Sequence, residues 1–315
     1  MKARDRTART PGAIRLGRFA GVLVQIRPSL LLMGVALVLL FAPRFAGSAQ
    51  NSYLVSTAFV VGLYVSVLVH ELAHVVAARH FGMAVSSVTL HLLGGETVME
   101  GESRTPWQEL LTSIVGPVTS LVIGLAGLWS STLFDGGVTD EIVWSIGFVN
   151  VLVAIFNMLP GLPLDGGRVF RAIVWHFSGN EATGIRAAAW FGRISAVAIV
   201  AVVLVLVDWD DERTIIDLVI ALLVGWFLWQ GAGDALRHAD RFARVNQLVA
   251  RELGELGVDV PLDSPRLPVG LRGTSLLRAM AAEPAHVYVL VDDADQQVAV
   301  LRASRVDEAY REGIV

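Results

Sequence analysis

His70-Glu71-Leu72-Ala73-His74 lies inside an apolar run from about Val55 to Ala78, long enough to cross a bilayer. On a helix the two histidines stand one turn apart on one face, so both imidazoles can reach one metal ion. Glu71 sits where it can polarise a metal-bound water instead of ligating the metal. Zinc suits such a site because it accepts nitrogen and oxygen ligands and lowers the pKa of its water towards neutrality. In a soluble protein this motif suggests a metalloprotease; embedded in hydrocarbon it suggests one that cuts inside or beside the membrane. A purely structural role meets a physical obstacle. Two imidazoles and a carboxylate on a spanning helix each cost several kcal/mol unless paired, buried in protein or bound to metal.

The rest of the composition agrees. Of 315 residues, 54% are hydrophobic and only 17% charged, which excludes an ordinary soluble enzyme. A net charge of -4 is too small to argue for a nucleic-acid partner. Cysteine is absent, so disulfides and thiolate ligands are excluded and any metal must be held by His, Asp or Glu.

Residues 1–28 form a basic lead: Lys2, Arg4, Arg6, Arg9, Arg15, Arg18 and Arg27 stand against the single acid Asp5. The lead is longer than a signal peptide's, so Ser29 to about Ala46 reads as a retained first span behind a cytoplasmic N-terminus. Further apolar runs near Leu110–Leu133, Ile142–Leu159, Ile185–Val207 and Ile215–Trp229 bring the expectation to about six transmembrane helices. The acidic connections Phe134–Glu141 and Asp208–Glu212 should face out. Arg168, Arg171, Arg237, Arg241, Arg244 and Arg251 should face in, leaving both termini cytoplasmic.

Three interruptions carry more. Met83–Arg104 is too polar to span; Val85–Leu93, Gly94-Gly95 and Thr97-Val98-Met99 read as a small β element beside the metal helix. Its free strand could receive an extended substrate by strand addition, or it is a simple hydrogen-bonded connector. Gly116-Pro117 either breaks the third span or lets a neighbour approach closely. Asn157 to Arg168 contains two prolines and three glycines that cannot continue a helix. Such backbone is tolerated at membrane depth only when buried in protein or lining a wet cavity. Asp165-Gly166 can be an Asx turn, but two histidines lacking a third ligand favour Asp165 as that ligand. Asn157 is a candidate for holding an oxyanion or the substrate backbone.

Taken in this order, the histidine motif, Gly94-Gly95, Gly116-Pro117 and Asn157–Gly167 resemble the site-2 proteases, intramembrane zinc metalloproteases. The resemblance covers roughly Ile14 to Gln230. It implies one zinc ion held by His70, His74 and Asp165, with Glu71 as general base and a site facing the cytoplasm of a bacterial cell. It also implies single-pass transmembrane substrates, such as anti-sigma factors or other regulators, cut after a first cleavage elsewhere. The rival class is a non-proteolytic membrane metal-binding protein or metal transporter, which needs no Glu beside the first histidine.

The domain reading is a basic segment (1–28), a protease domain in the bilayer (29–231), a stalk and linker (232–271) and a soluble α/β domain (272–315). Within the last, a helix at Ser275–Ala282, strands at Val287–Val291 and Val298–Arg302 and a helix from Ser304 resemble one CBS motif. A usual module needs two, so a homodimer would supply the missing half. There Ser304 would meet the phosphate and Asp307 the ribose of an adenine nucleotide, unless the pair is only a capping box. His80, His91, His176, His238 and His286 read as ordinary surface or interface residues; His91, beside Gly94-Gly95, is the one that most needs checking.

Overall fold

The computed structural model describes residues 12–19, 21–45, 51–91, 94–100, 103–134, 136–209, 214–256, 260–261 and 264–312. Lys2, Arg4, Asp5, Arg6, Arg9, Asp135, Asp210, Asp211, Glu212 and Asp259 lie outside these residues. The chain forms two units, residues 1–233 and 234–315.

In the first unit, six helices among the described residues have the length and hydropathy to cross a bilayer. They are α1 (Pro28–Phe41, extended by a 3-10 turn to Phe45), α2 (Ser52–His80), α3 (Pro106–Ser131), α4 (Val138–Asn157), α6 (Glu181–Leu206) and α7 (Thr214–Gln247). Six candidate spans, the expected number, are therefore found among the described residues. Their starts follow capping chemistry. The Asn51 side chain accepts from Leu54 N–H at 3.1 Å, Thr105 accepts from Gln108 N–H at 3.3 Å ahead of Pro106, and Asn180 accepts from Ala182 and Thr183. Between α4 and α6 lies α5 (Asp165–Ser178), a shorter amphipathic helix that ends at Gly179 in the left-handed conformation.

With little hydrophobic drive between spans in lipid, close packing holds them together. A Cβ on Gly127 would stand 2.9 Å from Gly147 Cα, so α3 and α4 meet backbone to backbone.

One sequence expectation needs correction here, and one open choice is decided. The N-terminal segment is not merely a charged lead: Ile14–Phe19 (β1) and Val22–Ile26 (β2) are strands. With Ala84–His91 (β3) and Gly94–Glu100 (β4) they make one sheet in the order β1-β2-β3-β4, with β2 parallel to β3 and the other pairs antiparallel. Val22 and Val88 of this sheet pack on Val75 of α2. Pro117 does not break the third span either. α3 runs through it from Pro106 to Ser131, because a proline in a membrane helix can be tolerated when neighbours re-satisfy the freed carbonyl.

The second unit takes in the end of α7, then α8 (Ala250–Leu253), β5 (Arg266–Pro268), α9 (Gly273–Ala282), β6 (Val287–Val291), β7 (Gln297–Arg302) and α10 (Ala303–Glu312). The expected linker is thus partly a strand: β5 pairs in parallel with β6, and β6 pairs antiparallel with β7. Leu248, Leu276, Tyr288, Leu290, Leu301 and Val306 lie in its core.

Candidate metal centre

α2 presents His70 and His74 on the buried side of the helix, as the four-residue spacing requires. The irregular stretch after α4 returns the chain so that Asp165 opens α5 against them. Nε2 of His70 and Oδ2 of Asp165 are 3.1 Å apart, Nε2 of His74 and the same oxygen 3.3 Å, and the two Nε2 atoms 3.2 Å. A tetrahedral ion bonded at about 2.0–2.1 Å sets ligand–ligand separations of about 3.3 Å. The three side chains therefore fit zinc, and they form the candidate metal group among the described residues.

The second nitrogen of each ring is fixed. With Nε2 turned to the metal position, His74 Nδ1–H donates to the Thr112 carbonyl at 2.7 Å and His70 Nδ1–H to Ser120 Oγ at 2.9 Å. Between these two acceptors on α3 stands Gly116. A Cβ there would lie 2.2 Å from His74 Nε2 and 2.6 Å from His70 Nε2, so glycine is required for the rings to occupy this place. Of the two readings of Gly116-Pro117, close approach is the one realised. Thr112, Gly116 and Ser120 recur every fourth residue along one face of α3. That stripe of small and hydroxyl-bearing residues is the sequence signal that could have identified them.

Asp165 is only 16% exposed. With no ion bound, burial opposes its charge, but hydrogen bonds from His70 and His74 protonated at Nε2, with their charge, outweigh this and hold the carboxyl below the usual carboxylate range. Its helix is tied down by charge. Arg168 Nε donates to Glu109 Oε1 at 3.0 Å, Ser103 Oγ donates to Glu109 Oε2 at 2.7 Å, Arg171 lies 3.6 Å from Glu109, and Arg171 also pairs with Glu181. Both arginines, read from sequence only as topology markers, thus link α3, α5 and α6. Burial opposes the Arg168 guanidinium charge, and Glu109 more than restores it, raising its pKa.

Glu71 is nearly buried and lines, with His70 and Asp165, a cavity of about 900 Å³ whose remaining wall is mostly apolar. Asn157, the last residue of α4, lines the same cavity, and so does His91 at the end of β3. His91 is therefore a site-lining residue that its bare sequence context understated. Gly94 and Gly95 open the edge strand β4, opposite His91 and Leu90. His80, His176, His238 and His286 are exposed and lie outside the cavity. Ser304 and Asp307 are exposed in the first turns of α10. Because α10 begins at Ala303, Ser304 lies inside the helix and not at the capping position.

Residues 58–141 and 133–205 match peptidase family M50. The chain is 33% identical over 273 residues to "Putative zinc metalloprotease sll0528" of Synechocystis sp., covering 82% of this chain and 67% of that protein. It is 34% identical over 231 residues to "Putative zinc metalloprotease Rip3" of Mycobacterium tuberculosis, covering 70% of this chain and 58% of that one. A solved site-2 protease from Methanocaldococcus jannaschii superposes with a TM-score of 0.53 at 26% identity, over 71% of this chain and 95% of that structure.

Proposed function

The chain belongs to peptidase family M50 and is a zinc metalloprotease, and from that premise we propose that the bond it cuts lies within or at the edge of a substrate's transmembrane helix. The observation that carries this reading is Glu71 lining one cavity with His70 and Asp165 of the candidate metal group, among helices long and apolar enough to cross a membrane. A transporter or a binding scaffold has no use for that carboxylate.

In this reading His70, His74 and Asp165 hold zinc, which when bound supplies a Lewis acid that polarises a carbonyl and acidifies water. Glu71 holds the attacking water, takes its proton, and delivers that proton to the leaving amine. Asn157 hydrogen-bonds the oxyanion or the neighbouring substrate backbone. A helical peptide hides its carbonyls, so the substrate must unwind locally. The edge of β4 at Gly94 and Gly95 is then the place where an extended segment adds as a strand. The apolar cavity wall favours a single-pass membrane protein over a soluble peptide. Anti-sigma factors and similar regulators, cut once before, fit that description. The membrane is a bacterial cell membrane with both termini on the cytoplasmic side.

For the second unit, the order α9-β6-β7-α10 supports a single CBS-like motif. Pairing of two copies would complete it and bring Ser304 and Asp307 to an adenine nucleotide.

The experiment is Glu71→Gln in the full-length protein. Cleavage of a reconstituted transmembrane substrate should fall below detection while zinc content stays near one per chain, since all three ligands remain. Undiminished turnover would remove Glu71 from the mechanism.

A further inference from the structure

On α6 and α7 the outward surface changes character at a common landmark. The exposed residues of α6 before Trp190 include Thr183 and Arg186; from Trp190 to Leu206 every exposed side chain is apolar. On α7 every exposed side chain from Val219 to Trp229 is apolar, and the exposed residues that follow are Gln230, Asp234, Arg237 and His238. Tryptophans at such a boundary mark the headgroup level of a bilayer. Between the two stands Arg193, its guanidinium carbon 5.1 Å from the Trp190 ring centre and 5.0 Å from that of Trp229.

Arg193 makes no hydrogen bond or ion pair among the described residues, and its Nε is fully buried without an acceptor. An arginine stays charged at any physiological pH. The tryptophan faces stabilise that charge but accept none of its five N–H groups. At headgroup depth the acceptor that matches a planar fork is a phosphate, through paired N–H···O bonds. We propose that Arg193, Trp190 and Trp229 form a binding site for the phosphodiester of an anionic phospholipid. Among the described residues no carboxylate balances the charge of Arg193, so a lipid with net negative charge should be preferred over one whose own amine neutralises its phosphate. The site adjoins the loop that delivers Asp165. A Cβ on Gly192 would stand 2.2 Å from the Leu162 carbonyl, and one on Gly231 2.5 Å from the Pro163 ring.

The test is native mass spectrometry of the full-length protein in micelles with equimolar phosphatidylglycerol and phosphatidylcholine, for wild type and Arg193→Gln. Wild type should retain phosphatidylglycerol in preference by roughly tenfold, the scale of one charge-assisted bond, and the variant should lose that preference. Zinc content in the variant reports that the fold survives. A wild-type protein without preference overturns the proposal whatever the variant does, and so does a preference that Arg193→Gln leaves intact. A third arm adds inorganic phosphate. Displacement of the lipid by millimolar phosphate would show that the site takes the free ion, which also overturns it.

Discussion

Around the metal the interior is small and polar: Ser66, His70, Glu71, His74, Thr112, Ser113, Ser120 and Asn150 are buried, while Leu32, Val122, Trp129 and Leu206 point outward. The core of the second unit is the reverse, with Leu276, Tyr288, Leu290 and Leu301 inside. In hydrocarbon no solvent drives large apolar groups together, so helices meet where side chains are smallest and polar groups gather where they find one another. In water apolar area is what is buried. The same residue type therefore has a different meaning in each unit. A glycine is indispensable where a helix must approach a ligand, and a leucine where water must be excluded.

The sharpest way to break that comparison is Gly116→Ala. An added methyl occupies the space of both imidazole Nε2 atoms. Zinc per chain, measured by plasma emission, should fall from about one to near zero, because the ligands cannot converge. The matched control is Gly270→Ala in the second unit, where a Cβ meets nothing within 4 Å; stability should change by about 0.5 kcal/mol or less. Retained zinc in the Gly116 variant would mean that α3 can retreat, and that the small-residue stripe is not what sets the site.

Next in size is Leu290→Ala. This side chain is fully buried, and its truncation should cost the second unit about 2–5 kcal/mol. Limited proteolysis should then cut within residues 234–312 at lower denaturant while zinc content holds. Loss of zinc in this variant would contradict the separation of the two interiors.

What could be read from the sequence follows the same division. The spans were legible because a bilayer demands uninterrupted apolar length, and the pairing of His70 with His74 because the two share one helical turn. Asp165 was legible because Pro160, Gly161 and Pro163, clustered after an apolar run, interrupt the helix there, and the membrane permits such backbone only at a protected place; Gly166 and Gly167, expected to interrupt it too, lie inside α5. The strand pair β6 and β7 was legible from β-branched runs around Asp292-Asp293-Ala294-Asp295. The N-terminal strands were not, since Ile14–Phe19 is exposed along its length and its partner β2 joins β3 across the whole of α1 and α2. Arg168 and Glu109 were not, because their pairing links positions far apart in the chain and each alone looks like a solvated charge. The position of α10 differed by one residue, enough to move Ser304 from the cap into the helix.

The smallest expected effect tests the division within a single pair of ligands. His70 and His74 are held by different kinds of acceptor, Ser120 Oγ at 2.9 Å and the Thr112 carbonyl at 2.7 Å. Ser120→Ala removes the first outright. The His70 ring then keeps its Nε2 but loses the bond that fixes its tautomer and rotation, and zinc affinity in a chelator competition should drop about 10–100-fold. Thr112→Val leaves the second untouched, because the acceptor belongs to the backbone. The lost hydroxyl only bonds back to the Gln108 and Glu109 carbonyls of its own helix, so affinity should stay within about threefold, the scale of a local back-bond. Equal losses in both variants would show that general packing of α3 holds the imidazoles. A loss confined to Ser120→Ala would show that one hydroxyl in a membrane helix positions a metal ligand.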